Sequence, residues 1–293
     1  MAVLTSTRRD TRELPETGSA GSGAQPAHPP AHHTPRASGR TLSWWREATL
    51  VLGFYASYTM VRNLTRGEAN VALANAERVM RLQQGLGLNV ESAWQAAVLP
   101  HTWLVVAANY FYGSANFVVT VSVLIWVYRR FPADYRLVRR ALSALILVSL
   151  AVYMTFPLMP PRLLERFGPA GTSGASTGPG FVDTMATYPT FWSFATGSVD
   201  KVTNQFAAMP SLHCAFAIWC AWVLVPRCRR RITKGLALLY PGVTAGVVVI
   251  TGNHFLLDIV GGAVVVALGV MIGGRLSRRG TPDQSAAVVA PTT

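Results

Sequence analysis

The stretch that decides the fold is His254–Ile272, which reads HFLLDIVGGAVVVALGVMI. It is close to the length of about 20 apolar residues that a helix needs to cross a bilayer, and no charged residue follows Asp258 within it. An acid inside such a stretch is energetically costly and therefore indicates a function. The sequence thus predicts a membrane-spanning helix that opens with an ionisable pair, His254 and Asp258.

Further apolar stretches predict an all-α, polytopic membrane bundle of about six transmembrane helices. Of the 293 residues, 51% are hydrophobic and only 13% are charged, whereas a soluble domain carries roughly 25% charged residues. The first and fifth stretches are short. The predicted spans are Trp44–Val61, Trp103–Tyr128, Leu137–Pro157, Met209–Val225, Leu236–Thr251 and His254–Ile272.

The remaining segments define the domain organisation around a catalytic membrane domain at 41–275. Residues 1–40 and 276–293 lack apolar runs and are predicted to be disordered tails. Residues 62–100 form an outer segment whose middle we interpret as a helix on the membrane surface, or alternatively as an ordinary solvated helix. Residues 158–206 form an outer loop, and their aromatic side chains indicate folding against the membrane interface.

Basic residues are concentrated in short segments between the spans. The net charge of +13 is compatible with nucleic-acid binding, but basic residues that flank apolar spans are typical of membrane insertion, so no nucleic-acid partner is expected. The pattern predicts cytoplasmic N- and C-termini in the plasma membrane. The predicted inner segments contain Arg129, Arg130, Arg136, Arg139, Arg140, Arg227, Arg229, Arg230, Arg231, Lys234, Arg275, Arg278 and Arg279, and the longer outer ones only Arg62, Arg66, Arg78, Arg81, Arg162, Arg166 and Lys201.

His254 and Asp258 are spaced for a nucleophile and the group that orients it. Residues four apart share one helix face. A carboxylate there can accept the Nδ1 proton of the imidazole, which leaves Nε2 free as a nucleophile. The topology places this pair at the outer membrane face.

Three further residues are predicted at the same depth. Pro210 suits the first turn of a helix, and a helix start offers free N–H groups to a phosphate. Ser211 can add a hydroxyl donor, and His213 can protonate a leaving oxygen as a general acid. Arg162, after two prolines, can hold phosphate oxygens with its planar guanidinium. Together the residue types match nucleophilic phosphoryl transfer.

Two other interpretations remain open. Two histidines and an aspartate can ligate a metal, but the sequence supplies no further ligands and Arg162 would repel a cation, so we expect neither metal nor cofactor. A non-catalytic transporter or scaffold is the alternative from another class; interrupted helices or paired repeats would favour a transporter, and neither is visible. Cys214, Cys220 and Cys228 lack disulfide or metal-ligand spacing and are predicted to be free.

The string Pro210-Ser211-Leu212-His213, together with His254 and Asp258, resembles the type 2 phosphatidic acid phosphatase superfamily, whose motifs are K-x6-R-P, P-S-G-H and S-R-x5-H-x3-D. The resemblance implies a six-span fold and a metal-free reaction on a lipid phosphate or phospholipid. It further implies a phosphohistidine at His254 oriented by Asp258, with His213 as the acid for the leaving group. Arg162 and Ser211 would bind the phosphate.

The chain departs from those motifs at the cationic positions. Thr155 replaces the Lys of the first motif, Leu163 follows the Arg, and Val247 and Val248 replace the Ser-Arg of the third. This reduced pattern resembles the branch related to inositol phosphorylceramide synthases, which implies an inositol-type phosphotransferase as well as a phosphatase. Fewer cations suit a phosphodiester better than a monoester. The sequence offers Arg166 and Lys201 as replacements, and it does not indicate an oligomeric state.

Overall fold

The computed structural model describes residues 44–64, 69–167, 180–188, 190 and 205–279. This part of the chain is all-helical, without a β-strand; a single bridge joins Leu158 to Ala207. The described residues from Trp45 onward belong to one compact unit. The helices are α1 Trp44–Leu64, α2 Ala69–Gly85, α3 Glu91–Val98, α4 Thr102–Arg130, α5 Pro132–Thr155, α6 Leu164–Phe167 after a 3-10 turn at Pro161–Leu163, α7 Thr184–Thr187, α8 Leu212–Arg227, α9 Arg231–Ile250 and α10 Leu256–Arg279.

Four of the described helices (α4, α5, α9 and α10) are long and apolar enough to cross a membrane, which identifies the chain as a membrane protein. Helix α8 is apolar but shorter. All six predicted stretches are helical in large part, although the six-span count stays a prediction because α1 and α8 are not among the four. Helix α10 continues to Arg279, so the first residues of the segment predicted as a tail are helical; residues 1–43 and 280–293 lie outside the described residues.

Small residues bring α10 against α5 at the centre of the bundle. A Cβ atom added at Gly269 would lie 2.7 Å from the carbonyl oxygen of Ala141, and one added at Gly273 would lie 2.8 Å from its backbone nitrogen. The two glycines form a G-x-x-x-G pattern, which lets helix backbones approach closely in membranes. Nothing larger than glycine fits at this contact without a shift of the helices.

A second pair of glycines on α10 brings the start of that helix against the start of α8. A Cβ added at Gly262 would lie 2.8 Å from the carbonyl oxygen of Ser211, and one at Gly261 would lie 3.3 Å from Cβ of Pro210. The hydroxyl of Tyr153 on α5 donates to the carbonyl of Pro210 at 2.7 Å. The two segments that carry the predicted histidines therefore lie side by side.

Helices α2 and α3 lie in the segment between α1 and α4, whose middle the sequence analysis predicted to be helical. One face of α2 packs on a core formed by buried apolar residues, and the other exposes Leu82, with Leu86, Leu88 and Trp94 exposed further along the segment. Phe181, an aromatic residue of the segment at 158–206, lies in this core, where it packs with residues of α2 and of the connection before α6. The core contains Ala72, Ala76, Val79, Leu158, Met159, Leu163, Leu164, Phe181, Ala208 and Phe255.

Candidate active site

His254 lies on the connection between α9 and α10, immediately before the first turn of α10. Helix α9 ends in a Schellman motif: Gly252 has a φ of +68°, and the N–H groups of Gly252 and Asn253 donate to the carbonyls of Val249 and Val248. A Cβ at Gly252 would lie 3.0 Å from Nε2 of Gln95, so the close packing also requires glycine. This turn directs His254 toward α8 and α4.

The carboxylate of Asp258 holds His254. Its Oδ2 lies 3.2 Å from Nδ1 of His254 and accepts the N–H of Phe255 at 2.9 Å. The second bond is half of a capping box, in which the third residue of a helix satisfies the N–H of the residue that precedes it. His254 is 4% exposed and Asp258 is fully buried. The predicted contact between the two residues is thus present, but they do not share a helix face as expected, because α10 begins only at Leu256. The helix cap and the histidine instead share one oxygen of Asp258.

His213 lies in the first turn of α8, with its ring centroid 5.9 Å from that of His254. On its other side it stacks on Tyr112 of α4, with centroids 4.1 Å apart and planes at 17°. The tyrosine fixes the plane of the imidazole. Tyr112 was missed in the sequence because an aromatic residue in an apolar helix carries no distinctive signal.

Ser211 is the N-cap of α8. Its buried Oγ accepts the N–H of Cys214 at 3.4 Å, and its backbone N–H donates to the carbonyl of Asp258 at 2.9 Å. The helix begins at Leu212, so Pro210 precedes the cap and does not occupy the first turn as the sequence analysis expected. Oγ acts as the acceptor in this cap bond, so the bond does not use the hydroxyl proton of Ser211.

Arg162 reaches the same place from the 3-10 turn after α5. Its backbone N–H donates to the carbonyl of Gly252 at 2.8 Å, and its Nε donates to Oδ1 of Asn253 at 3.0 Å. Its Nη1 forms an ion pair with Oδ2 of Asp183 at 2.7 Å. The guanidinium therefore lies beside the residue that directly precedes His254.

Asp183 is a site residue that the sequence analysis missed. Its Oδ1 caps α7 by accepting the N–H groups of Met185 and Ala186, while Oδ2 holds Arg162. It is fixed at both oxygens, so the guanidinium has one preferred orientation. Asp183 and Arg162 do not belong to a common sequence motif. Only the fold of the segment at 158–206 brings the two side chains together.

Buried amides join the described part of this loop to the helices around the site. Gln95 of α3 donates to the carbonyls of Val182 and Ile250 and accepts the N–H of Val182. Asn109 of α4 exchanges two hydrogen bonds with Thr184. Hydrogen bonds and a ring contact link four of the predicted residues, His213, His254, Asp258 and Ser211. Arg162 joins them through Gly252 and Asn253, the two residues that precede His254.

The described residues contain no group of three or more His, Cys, Asp or Glu side chains arranged to hold a metal ion. The three cysteines are free. Two candidates were named for the missing cationic ligands: the side chain of Arg166 and the whole of Lys201 lie outside the described residues.

Comparison with known protein families gives a match that covers most of the chain. The model of a protein family described as the PAP2 superfamily matches residues 77–272, which is more than half of the chain and includes all five predicted site residues. No curated protein and no solved structure matches the chain at a significant level.

Proposed function

Because the chain belongs to the PAP2 superfamily, which points to phosphatase-type phosphoryl transfer, we propose that it transfers the phosphoryl group of a lipid phosphate through a phosphohistidine at His254. The observation that carries the proposal is the contact of Nδ1 of His254 with Oδ2 of Asp258 at 3.2 Å, with the ring of His213 close by. This arrangement directs Nε2 of His254 away from the carboxylate and leaves it free to attack phosphorus.

In the first half-reaction, Nε2 of His254 forms a bond to phosphorus while the bond from phosphorus to the lipid oxygen breaks. His213 donates a proton to that oxygen, which leaves as an alcohol. The positive charge that develops on the imidazole of His254 is stabilised by Asp258, which keeps its hydrogen bond to Nδ1 throughout.

In the second half-reaction, an acceptor oxygen attacks the phosphohistidine. His213, now neutral, takes the proton of the acceptor, and the bond between Nε2 of His254 and phosphorus breaks. Water as acceptor makes the enzyme a lipid phosphatase, and an alcohol such as inositol makes it a phosphotransferase. The resemblance to the inositol phosphorylceramide synthase branch supports the second acceptor.

Arg162 is proposed to bind the phosphate oxygens together with Ser211. Asn253 and Asp183 hold Nε and Nη1 of the guanidinium, which leaves Nη2 and one N–H of Nη1 for substrate. Because Asp183 offsets part of the positive charge, this cation suits a singly charged phosphodiester better than a doubly charged monoester.

We further propose that the bundle spans the plasma membrane six times, with both termini in the cytoplasm and the site at the outer face. The distribution of arginine supports this orientation. At the bundle end away from the site, Asp134 at the start of α5 pairs with Arg227 at the end of α8 at 2.8 Å. The outer face gives the site access to lipid headgroups.

The test uses the purified protein in detergent with a panel of lipid phosphomonoesters and phosphodiesters, a chelator present throughout, and each assay run with and without inositol. Turnover is expected to survive the chelator, and His254→Ala is expected to abolish it. Inositol-dependent product identifies the phosphotransferase. Full activity of His254→Ala contradicts the nucleophile, and loss of activity on chelation favours a metal enzyme instead.

A further inference from the structure

We propose that Gln83 of α2 and Glu91 of α3 form a side-chain clamp that positions the His254–Asp258 pair for catalysis. The inference rests on the proposed function, since it assigns positioning residues to that reaction. Neither residue belongs to the motifs that define the candidate site. Both lie in the outer segment between the first two predicted spans.

The clamp holds the first free N–H groups of α10. Oε1 of Glu91 accepts the N–H of Leu256 at 3.0 Å, and Oε1 of Gln83 accepts the N–H of Leu257 at 3.0 Å. Nε2 of Gln83 donates to Oε1 of Glu91, which joins the two side chains to each other. The initial N–H groups of a helix have no partner within the helix, and here two of them are satisfied from segments more than 150 residues earlier in the chain.

The two held amides lie between the catalytic groups. His254 precedes Leu256 by two residues, and Asp258 follows Leu257 directly. Asp258 itself satisfies the N–H of Phe255. A shift of the backbone at Leu256 or Leu257 would therefore change the distance between Nδ1 of His254 and the carboxylate, although the clamp touches neither side chain.

Both side chains of the clamp are buried. Gln83 is 0% exposed and Glu91 is 1% exposed. Oε2 of Glu91 is buried without a hydrogen-bond partner among the described residues. A buried carboxylate is costly unless it is paired, and the positive end of the α10 dipole offsets part of this cost. Burying a carboxylate with one unpaired oxygen costs too much free energy for a side chain that only fills space. The need for a strong hydrogen-bond acceptor at the start of α10 explains its presence.

The same face of α3 holds the other end of the connection that carries His254. Gln95, four residues after Glu91, donates to the carbonyl of Ile250, the last residue of α9. Residues four apart share a helix face. Helix α3 therefore fixes residues on both sides of the segment from Thr251 to Phe255.

The test compares Glu91→Met and Gln83→Met, which keep side-chain length but cannot accept these bonds, with Glu91→Gln, which keeps an acceptor oxygen. The control is Asn75→Leu: Asn75 is a buried amide on α2 whose side chain hydrogen-bonds to the carbonyl of Pro157 and to Arg78. For each folded variant we measure kcat, KM, the rate of phosphoenzyme formation and the midpoint of thermal unfolding.

We expect the two methionine variants to lower kcat and the rate of phosphoenzyme formation about 10²-fold, as a misplacement of about an ångström does, with KM nearly unchanged. Glu91→Gln should recover most of the loss, and Asn75→Leu should lower the unfolding midpoint without lowering kcat. Wild-type kcat in Glu91→Met, no recovery in Glu91→Gln, or an equal loss in Asn75→Leu would overturn the clamp. A wild-type protein without turnover, or a fully active His254→Ala, would instead reject the proposed function.

Discussion

Asp258 uses one oxygen for two tasks, because Oδ2 contacts both Nδ1 of His254 and the N–H of Phe255. Asp258→Asn keeps the size of the side chain and removes its charge. The positive imidazole of the proposed phosphohistidine then loses its stabilising partner, and the protonation of Nδ1 is no longer favoured. We expect kcat to fall by about 10³–10⁴-fold, as for the equivalent change in a serine protease triad, with little change in KM. Steady-state kinetics on a lipid substrate measure this; an unchanged kcat contradicts the orienting role.

The stack on Tyr112 holds the ring of His213, the proposed general acid, in one plane. For a lipid substrate, whose alcohol is a poor leaving group, His213→Gln is expected to lower kcat by about 10²–10⁴-fold. An aryl phosphate with a good leaving group needs no proton in the first half-reaction, so its rate of phosphoenzyme formation should change little. Single-turnover rates on the two substrates measure this difference. Equal losses on both would show that His213 binds the phosphate and does not act as the acid.

Asp183 offsets the charge of Arg162 through the 2.7 Å ion pair. Asp183→Asn keeps an acceptor oxygen but leaves the guanidinium charge uncompensated, which favours the doubly charged monoester. We expect the ratio of kcat/KM for a phosphomonoester over a phosphodiester to rise roughly fivefold, as a charge interaction of about 1 kcal/mol gives. Asp134→Asn, which breaks the comparable pair with Arg227 away from the site, is the control and should leave the ratio unchanged. A ratio unaffected by Asp183→Asn would contradict the assignment.

At the scale of the helices, two neighbouring glycines of α10, Gly273 and Gly274, form a matched pair for testing how α10 packs against α5. A Cβ at Gly273 would lie 2.8 Å from the backbone nitrogen of Ala141, whereas one at Gly274 would meet nothing within 4 Å. Gly273→Ala is therefore expected to destabilise the bundle by about 1–3 kcal/mol through overpacking, and Gly274→Ala to be neutral or slightly stabilising because alanine favours helix. Thermal unfolding in detergent compares the two. Equal midpoints would mean that α5 and α10 pack less closely than described.

The sequence predicts helices better than it predicts their ends. Apolar length identified the stretches that form α4, α5, α9 and α10. The start of α8 was misplaced because Pro210 is compatible with a first helical turn, whereas the cap is made by Ser211. The end of α10 was misplaced because Arg278 and Arg279 read as tail residues although they continue the helix.

The site was predictable where residues lie close along the chain and not where the fold alone joins them. The spacing of His254 and Asp258 carries their contact in the sequence itself. No short spacing in the sequence connects the remaining site residues to their partners, which lie much further away along the chain. These residues are Gln83, Glu91 and Asp183. Pairing of this kind depends on how the outer segments fold over the bundle, and a single sequence does not encode it as a local pattern.

At the scale of the whole molecule, the proposed orientation can be tested through accessible cysteines. Leu86, between α2 and α3, is 58% exposed, and Arg230, between α8 and α9, is exposed too. In a background with Cys228→Ser, a membrane-impermeant thiol reagent applied to intact cells should label Leu86→Cys and spare Arg230→Cys, because the first residue belongs to the outer segment and the second to an arginine-rich inner one.

Permeabilised cells should label both variants, which controls for the reactivity of each thiol, and the Cys228→Ser background alone should stay unlabelled because Cys214 and Cys220 are buried. Labelling of Arg230→Cys but not Leu86→Cys in intact cells would place the start of α8 and the start of α10 at the cytoplasmic face. His213 and His254 lie at those starts, so the enzyme would then draw its lipid from the inner leaflet. The chemistry of the cluster would be unchanged, and only the source of its substrate would differ.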